Sequence, residues 1–240
     1  MTASSEPSQA ELRLQLVQRR IHTATTLCGR NPASVALLAV SKLQPVQAIR
    51  DLYAAGQRAF GENYVHEAVG KRDELRDLRD IDWHLIGPLQ SNKTRVVAET
   101  MHWVHSVDRL KIAERLSAQR PADLPPLNIC IQVNISGEAS KSGCAPDDAV
   151  ALAKAASTLP GLRVRGLMGM PEPGIGEDAT RRQFAMLAGL YAAAKRGIAS
   201  IDTLSMGMSD DLEIAVAAGS TMVRVGTALF GARPVNQQQE

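Results

Sequence analysis

Short apolar and β-branched runs recur along the chain. They lie at Val35–Val40, Arg58–Phe60, Trp83–Ile86, Trp103–Val107, Leu127–Val133, Leu162–Met168, Ile201–Leu204 and Met222–Val225. Each has the length of a strand, and a segment with apolar residues at helical spacing follows each of the first seven. A further amphipathic segment over Ser8–Cys28 precedes the first run and predicts an extra N-terminal helix. Two of the helices carry clear punctuation. Pro45 stands where a first helical residue belongs, Val46, Ile49 and Leu52 recur on one face behind it, and Gly56 supplies a stop. Pro146 opens another, Asp147 and Asp148 occupy its first turn, and Gly161 closes the segment.

Strands that alternate with helices from end to end predict an α/β protein built on a parallel sheet. Eight strands in 240 residues match the economy of a closed (β/α)8 TIM barrel, which takes roughly 250 residues. The whole chain, residues 1–240, is therefore read as a single barrel domain whose polar ends, residues 1–7 and 236–240, fray. Strand parity gives the facing of side chains. In the fifth run Leu127, Ile129, Ile131 and Val133 share one face, and Asn128, Cys130, Gln132 and Asn134 share the other. The polar set is expected to point into the barrel, with Asn128 satisfied by a neighbouring amide.

Composition narrows the function classes. Hydrophobic residues make up 45% of the chain and charged residues 22%, which excludes wholesale disorder. The 27 basic and 25 acidic residues leave a formal net charge of +2, too small and too evenly spread for a nucleic-acid or membrane-surface protein. No apolar run nears about 18 residues, so no transmembrane helix is expected. The opening stretch, MTASSEPSQAELRLQLVQRR, lacks the apolar core of a signal peptide, and the expected location is cytoplasmic. Cys28, Cys130 and Cys144 are odd in number and lack C-x-x-C spacing. That argues against a disulfide framework or a structural zinc site, and no metal is expected.

Active sites of such barrels lie at the C-terminal ends of the strands. After the first run stands Lys42, whose parity matches Ala36, Leu38 and Val40. A lysine drawn into an apolar cavity loses stability in its charged form, and a neutral amine is what condensation with an aldehyde requires. Taken alone, a lysine at a strand end is more commonly a surface cap. After the seventh and eighth runs, Met206-Gly207-Met208-Ser209 and Gly226-Thr227 place small and hydroxyl residues at loop-to-helix junctions. Backbone N–H groups and hydroxyls there make a phosphate cradle, although ordinary helix capping explains the same residues equally well. Closure of the barrel would make the first and eighth strands neighbours and set Lys42 and Arg224 above one mouth. A phosphorylated aldehyde fits both features. Pyridoxal 5′-phosphate and a phosphorylated sugar held by a lysine aldolase both answer to that description. Elsewhere, His84 reads as a barrel-lining residue, and His102 and His105 lack a supporting carboxylate pattern. Glu62 either orients its neighbours or pairs with a cation, and Cys144 reads as an inert thiol.

From about Leu37 to Arg233 the chain resembles the pyridoxal phosphate homeostasis proteins, the YggS or PROSC family. The resemblance rests on Ala39-Val40-Ser41-Lys42, Phe60-Gly61-Glu62-Asn63-Tyr64-Val65, Trp83-His84-Leu85-Ile86-Gly87-Pro88-Leu89-Gln90-Ser91-Asn92-Lys93 and Gly166-Leu167-Met168. It continues through Ser205-Met206-Gly207-Met208-Ser209-Asp210-Asp211-Leu212-Glu213 and the block from Gly219 to Gly231. It implies a fold like the N-terminal barrel of alanine racemase, with pyridoxal 5′-phosphate held as a Schiff base on Lys42. By the same likeness Ser209, Gly226 and Thr227 hold the phosphate, Arg224 faces the pyridine nitrogen, Asn63 lies near the ring and Met206 touches it. An arginine has no acceptor and stays charged, so it leaves that nitrogen unprotonated and weakens the ring as an electron sink. The implied role is a non-catalytic one in cytoplasmic cofactor homeostasis. Its partners would be the cofactor itself and pyridoxal phosphate-dependent apo-enzymes, with no nucleic acid or membrane, and the protein a monomer. The alternative is a pyridoxal phosphate-dependent amino-acid racemase. That chemistry needs a second base, and of Tyr53, Tyr64 and Tyr191 only Tyr64 is placed near the site.

Overall fold

The computed structural model describes residues 7–138 and 141–231. The expected fraying of the ends lies outside them, apart from Pro7. The strands are β1 (Ala36–Val40), β2 (Ala59–Glu62), β3 (Asp82–Leu85), β4 (Trp103–Val107), β5 (Leu127–Gln132), β6 (Leu162–Met168), β7 (Thr203–Ser205) and β8 (Met222–Val225). They pair in chain order, all parallel, and β8 closes on β1 to complete the (β/α)8 barrel. The helices are α1 (Gln9–Leu27), α2 (Val46–Ala54), α3 (Val65–Glu74), α4 (Thr94–Thr100), α5 (Leu110–Gln119), α6 (Pro146–Ser157), α7 (Glu177–Lys195), α8 (Leu212–Ala217) and α9 (Thr227–Phe230). The last is a single turn after β8, too short to announce itself in the hydrophobic pattern.

The N-terminal helix forms where its spacing places it. Ser8 is the N-cap, its hydroxyl accepting from the Glu11 N–H at 3.1 Å, and Cys28 is the C-cap. Leu14, Val17, Ile21 and Ala24 form one buried stripe, each large member contributing about 1.5–3 kcal/mol by leaving water. Pro45 sits one position earlier than expected, as the N-cap of α2, with its carbonyl accepting from the Ala48 N–H. Proline lacks the N–H that either position leaves unused, so both suit it. β7 begins two residues later than the apolar run. The Ile201 N–H is spent on the Ile198 carbonyl in a turn, so Ile201 cannot join the ladder. β2 runs on through Gly61 and Glu62, because the Glu62 carboxylate finds buried partners and its carbonyl accepts from the Ile86 N–H.

Two layers of side chains result. Leu127, Ile129 and Ile131 join the main core between barrel and helices, as parity requires. Cys130 faces inward and packs with Trp103 and Met168. Asn128 is satisfied by Arg165, which donates to its Oδ1 at 3.0 Å, and by the His102 carbonyl, not by another amide. Parity breaks at β6. Ile129 pairs with Val164 and Cys130 with Gly166, so Arg165 is an extra residue in a bulge. Val164 and Leu167 consequently both face the helices, three residues apart.

The bulge depends on glycine. A Cβ on Gly166 would stand 1.6 Å from the Thr203 carbonyl oxygen, a backbone atom that cannot swing aside. Gly166→Ala is expected to cost about 3 kcal/mol or more by forcing β6 from β7. Gly70, exposed within α3 with open space around it, is the matched control. Gly70→Ala is expected to stabilise by about 0.5–1 kcal/mol. Urea unfolding of the two variants should show opposite signs.

Candidate functional site

The C-terminal ends of the strands open into a cavity of about 600 Å³. Lys42 enters it from the turn after β1, Asn63 from the loop after β2, Ser209 from the loop after β7, and Gly226 and Thr227 from the junction of β8 with α9. Arg224 reaches it from within β8. Six of the seven residues expected from the sequence therefore line one cavity. Met206 does not. It is fully buried in the core against the helices. Its neighbour Ser205 points into the barrel, where it bonds His105 and Arg224, and alternation turns Met206 outward. Met208, two residues on, lines the cavity instead. Tyr64 is half exposed and absent from the cavity wall, which holds no tyrosine among the described residues. Met170 and Lys141 line the cavity and were not singled out from the sequence. Met170 lies two residues beyond the end of β6, and that nearness to a strand end is the signal that could have found it; Lys141 lies deep in a loop and has none.

The backbone around Lys42 is held by a buried charge cluster. The Ser41 N–H donates to the Gly61 carbonyl at 2.9 Å, and the Ser41 hydroxyl donates to Glu62 Oε1 at 2.5 Å. Lys71 Nζ donates to the Ser41 carbonyl at 2.6 Å, to Glu62 Oε1 at 2.9 Å and to Glu67 Oε1 at 2.7 Å. On the other side of Lys42, the Leu43 N–H donates to the same Glu67 oxygen at 2.6 Å. Leu43 has φ of +59°, the positive-φ exception among the described non-glycine residues. That conformation costs about 1–2 kcal/mol and is held by the contacts on either side. The cluster thus fixes the residues before and after Lys42.

The wall opposite is formed by the Ser209 turn and the junction of β8 with α9. The first turn of α9 begins at Gly226, and its leading N–H groups have no intrahelical acceptors. A Cβ on Gly226 would lie 3.3 Å from the Val40 carbonyl, so the junction packs closely on β1. The Ser209 turn is fixed from two sides. Arg20 of α1 donates to the Ser209 carbonyl at 2.8 Å and is itself paired with Glu213. Asp211 accepts from the Met208 N–H at 2.5 Å. Asp210 also lines the cavity. Arg224 is buried; its Nη1 donates to the Ser205 carbonyl and hydroxyl and its Nη2 to the Gly169 carbonyl. Burial pushes its guanidinium down to about 10, against the pull of Asp211, so it stays cationic at neutral pH. The donors, the hydroxyls and the amine together suit a molecule with an anionic group at one end and a carbonyl carbon near the other. Cys144 is inert, since burial pushes its thiol up to about 11.

Glu62 gives the clamp a measurable signature. It is fully buried and its Oε2 has no hydrogen-bond partner. Burial therefore raises its carboxyl to about 6, with Lys71 and Ser41 opposing. A raised native value means that the native state binds the extra proton. Stability from this group is full below the unfolded value of 4.5 and is lost as pH rises through about 6. Between about pH 4 and about pH 7, the parent should lose about 2 kcal/mol of unfolding free energy relative to Glu62→Gln. Parallel urea titrations at several pH values measure the difference, and parallel curves would show that Glu62 does not titrate there.

Comparison with known proteins places this geometry. The alanine racemase N-terminal domain family matches residues 13–234. A pyridoxal phosphate homeostasis protein of Pseudomonas aeruginosa is 61% identical over 217 residues, covering 90% of this chain and 93% of that protein. PipY of Synechococcus elongatus, solved with pyridoxal phosphate bound, superposes with a TM-score of 0.79 at 40% identity, over 93% of this chain and all of that one. An alanine racemase of Clostridium difficile shares the fold alone, with a TM-score of 0.70 at 12% identity over 91% of this chain and 57% of its own. This chain, a barrel with Lys42, Ser209, Gly226 and Thr227 around one mouth and matched over nearly its whole length by such relatives, belongs to the alanine racemase N-terminal domain family and, within it, to the pyridoxal phosphate homeostasis proteins.

Proposed function

We propose that this chain binds pyridoxal 5′-phosphate as a Schiff base on Lys42 and serves the supply and buffering of that cofactor inside the cell. The carrying observation is that one cavity joins the amine-bearing turn of β1 to the Ser209 and Gly226–Thr227 turns. The family relationship supports it, as does the pyridoxal phosphate bound to the similar PipY.

The residues present fit the group. When bound, the cofactor supplies an aldehyde carbon that condenses with an amine, with loss of one water. Lys42 provides that amine from a turn whose backbone Lys71, Glu62 and Glu67 immobilise. The Ser209 and Thr227 hydroxyls and the leading N–H groups of α9 donate to the phosphate. Asn63, which lines the same cavity, would stand beside the ring. Arg224 offers donors to the pyridine nitrogen and, having no acceptor, cannot stabilise a proton there. This favours holding the cofactor over converting amino acids with it. Reversal of that condensation by water or by another amine would free Lys42 and let the cofactor pass to apo-enzymes. One chain builds the whole pocket, so a monomer suffices.

Two measurements test this reading. Added pyridoxal phosphate should give the parent an imine absorption band, and borohydride should fix the cofactor mass on the Lys42 peptide. Lys42→Ala should lose both, and an unchanged band in the variant would overturn the assignment. Ser209→Ala and Thr227→Ala should each weaken pyridoxal phosphate about tenfold by removing a hydrogen bond to a charged group. They should leave pyridoxal, which lacks the phosphate, within about twofold of the parent. Equal loss for both ligands would place the phosphate elsewhere.

A further inference from the structure

Behind Arg224 the barrel interior holds a file of polar groups instead of an apolar plug. The Arg224 Nη1 lies 2.8 Å from the Ser205 hydroxyl, and that hydroxyl lies 3.0 Å from His105 Nδ1. His105 Nε2 lies 2.9 Å from His84 Nδ1. His84 Nε2 has no well-aligned partner, but Asp82 Oδ2 stands 3.3 Å from it. The residues come from β8, β7, β4 and β3, and the file runs from the cavity to the opposite end of the barrel. There the Asp82 side chain is half exposed and also accepts from the Trp103 indole N–H.

The direction of the file is forced. A guanidinium only donates and a carboxylate only accepts, so the Ser205 oxygen accepts from Arg224, and Asp82 draws the single ring proton of His84 to Nε2, which passes the same order along the file and leaves the Ser205 hydroxyl proton for His105 Nδ1. His105 then carries its proton on Nε2 and donates to His84 Nδ1. His84 in turn carries its proton on Nε2, aimed at the Asp82 carboxylate. Each imidazole is neutral in this arrangement. His105 fits that requirement, since full burial together with His84 and Arg224 holds its imidazolium well below the ordinary value of 6.5. His84 is stacked on Trp103, with ring centroids 5.2 Å apart, which fixes its plane. The cation at one end and the carboxylate at the other are matched by a line of aligned dipoles.

We propose that Asp82, His84, His105 and Ser205 are positioning residues that orient Arg224, consuming its Nη1 donors so that its remaining N–H groups face the cofactor's ring nitrogen. This rests on the pyridoxal phosphate reading above. It adds that the ring nitrogen is recognised through a chain ending at the far side of the barrel, which explains why two histidines and a serine occupy positions that such barrels usually fill with branched aliphatic residues.

The test separates the two ideas. In the parent, pyridoxal phosphate should bind about tenfold or more tightly than its 1-deaza analogue, which keeps the aldehyde and phosphate but lacks the ring nitrogen. His105→Leu and Ser205→Ala should abolish that preference while leaving the ratio of pyridoxal phosphate to pyridoxal unchanged. His105→Gln, whose amide can accept from Ser205 and donate to His84, should restore it. A preference unchanged in His105→Leu, or not restored in His105→Gln, overturns the proposal. Nitrogen-15 NMR of the parent without cofactor decides the chain independently of binding. Both imidazoles should carry their proton on Nε2, and His105, buried beside Arg224, should not titrate between about pH 5 and about pH 8. An Nδ1-protonated ring at either position overturns the chain. Loss of all pyridoxal phosphate binding in the parent, with the tautomers as stated, would instead fault the functional reading alone.

Discussion

The pairing of β1 with β8 is the contact on which the rest of the site depends. It sets Leu38 opposite Arg224 and Ala39 opposite Val225, joining the first strand of the barrel to one nearly two hundred residues later. Only this closure brings the Lys42 turn to the Gly226–Thr227 junction, and the close packing of Gly226 on the Val40 carbonyl is its local expression. An open sheet of the same strands would leave the Lys42 amine and the Gly226–Thr227 junction at opposite edges. The register also matters, because a one-residue slip would exchange the faces of β8 and turn Arg224 out among the helices. Parallel pairing with helices outside supplies the stabilisation. The branched side chains of the strands pack outward against the helices, and the inner face is left to carry polar chemistry.

That inner face carries charge at considerable cost, which the fold offsets locally. Removing an ion from water costs several kcal/mol unless partners replace the solvent. Lys71 meets that requirement with two carboxylates and a carbonyl; Arg224 meets it with two carbonyls and a hydroxyl. Both groups act at one remove. Lys71 holds the backbone on which the cavity lysine stands, and Arg224 is itself held by a donor file from behind. At Glu62 compensation is incomplete, since one of its oxygens is buried without a partner, and burial raises its affinity for a proton.

The N-terminal helix belongs to the same scheme. It is not one of the eight βα units, yet its buried stripe packs into the common core, and Arg20 bonds the carbonyl of Ser209. Arg20 and Glu213 are partly exposed, so the pair by itself adds little stability. Its geometric effect is larger, because it ties the turn that would hold the phosphate to an element outside the barrel cycle.

The order and kind of the elements were legible in the sequence, because period-2 and period-3.6 patterns depend on local chain geometry alone. Ser8 and Cys28 bounded α1 as expected, and β4, β6 and β8 matched their apolar runs residue for residue. Lys42, Ser209 and Thr227 were legible as candidates because barrel sites gather at strand ends. Met206 misled because facing at a strand end alternates from one residue to the next, and only the inward bonds of Ser205 settle which side is which. The β6 bulge at Arg165 was invisible for the same reason, as an extra residue leaves the apolar run unbroken. His84 and His105 gave no ligand or relay spacing, since their contact joins two strands 21 residues apart. Glu62 read as a carboxylate that either orients its neighbours or pairs with a cation, and Lys71, arriving from α3, together with Ser41 makes it do both. Local periodicity thus determined where the strands and helices lie. Tertiary closure decided which side chains meet, because burial leaves each polar group only the partners that distant segments bring to it.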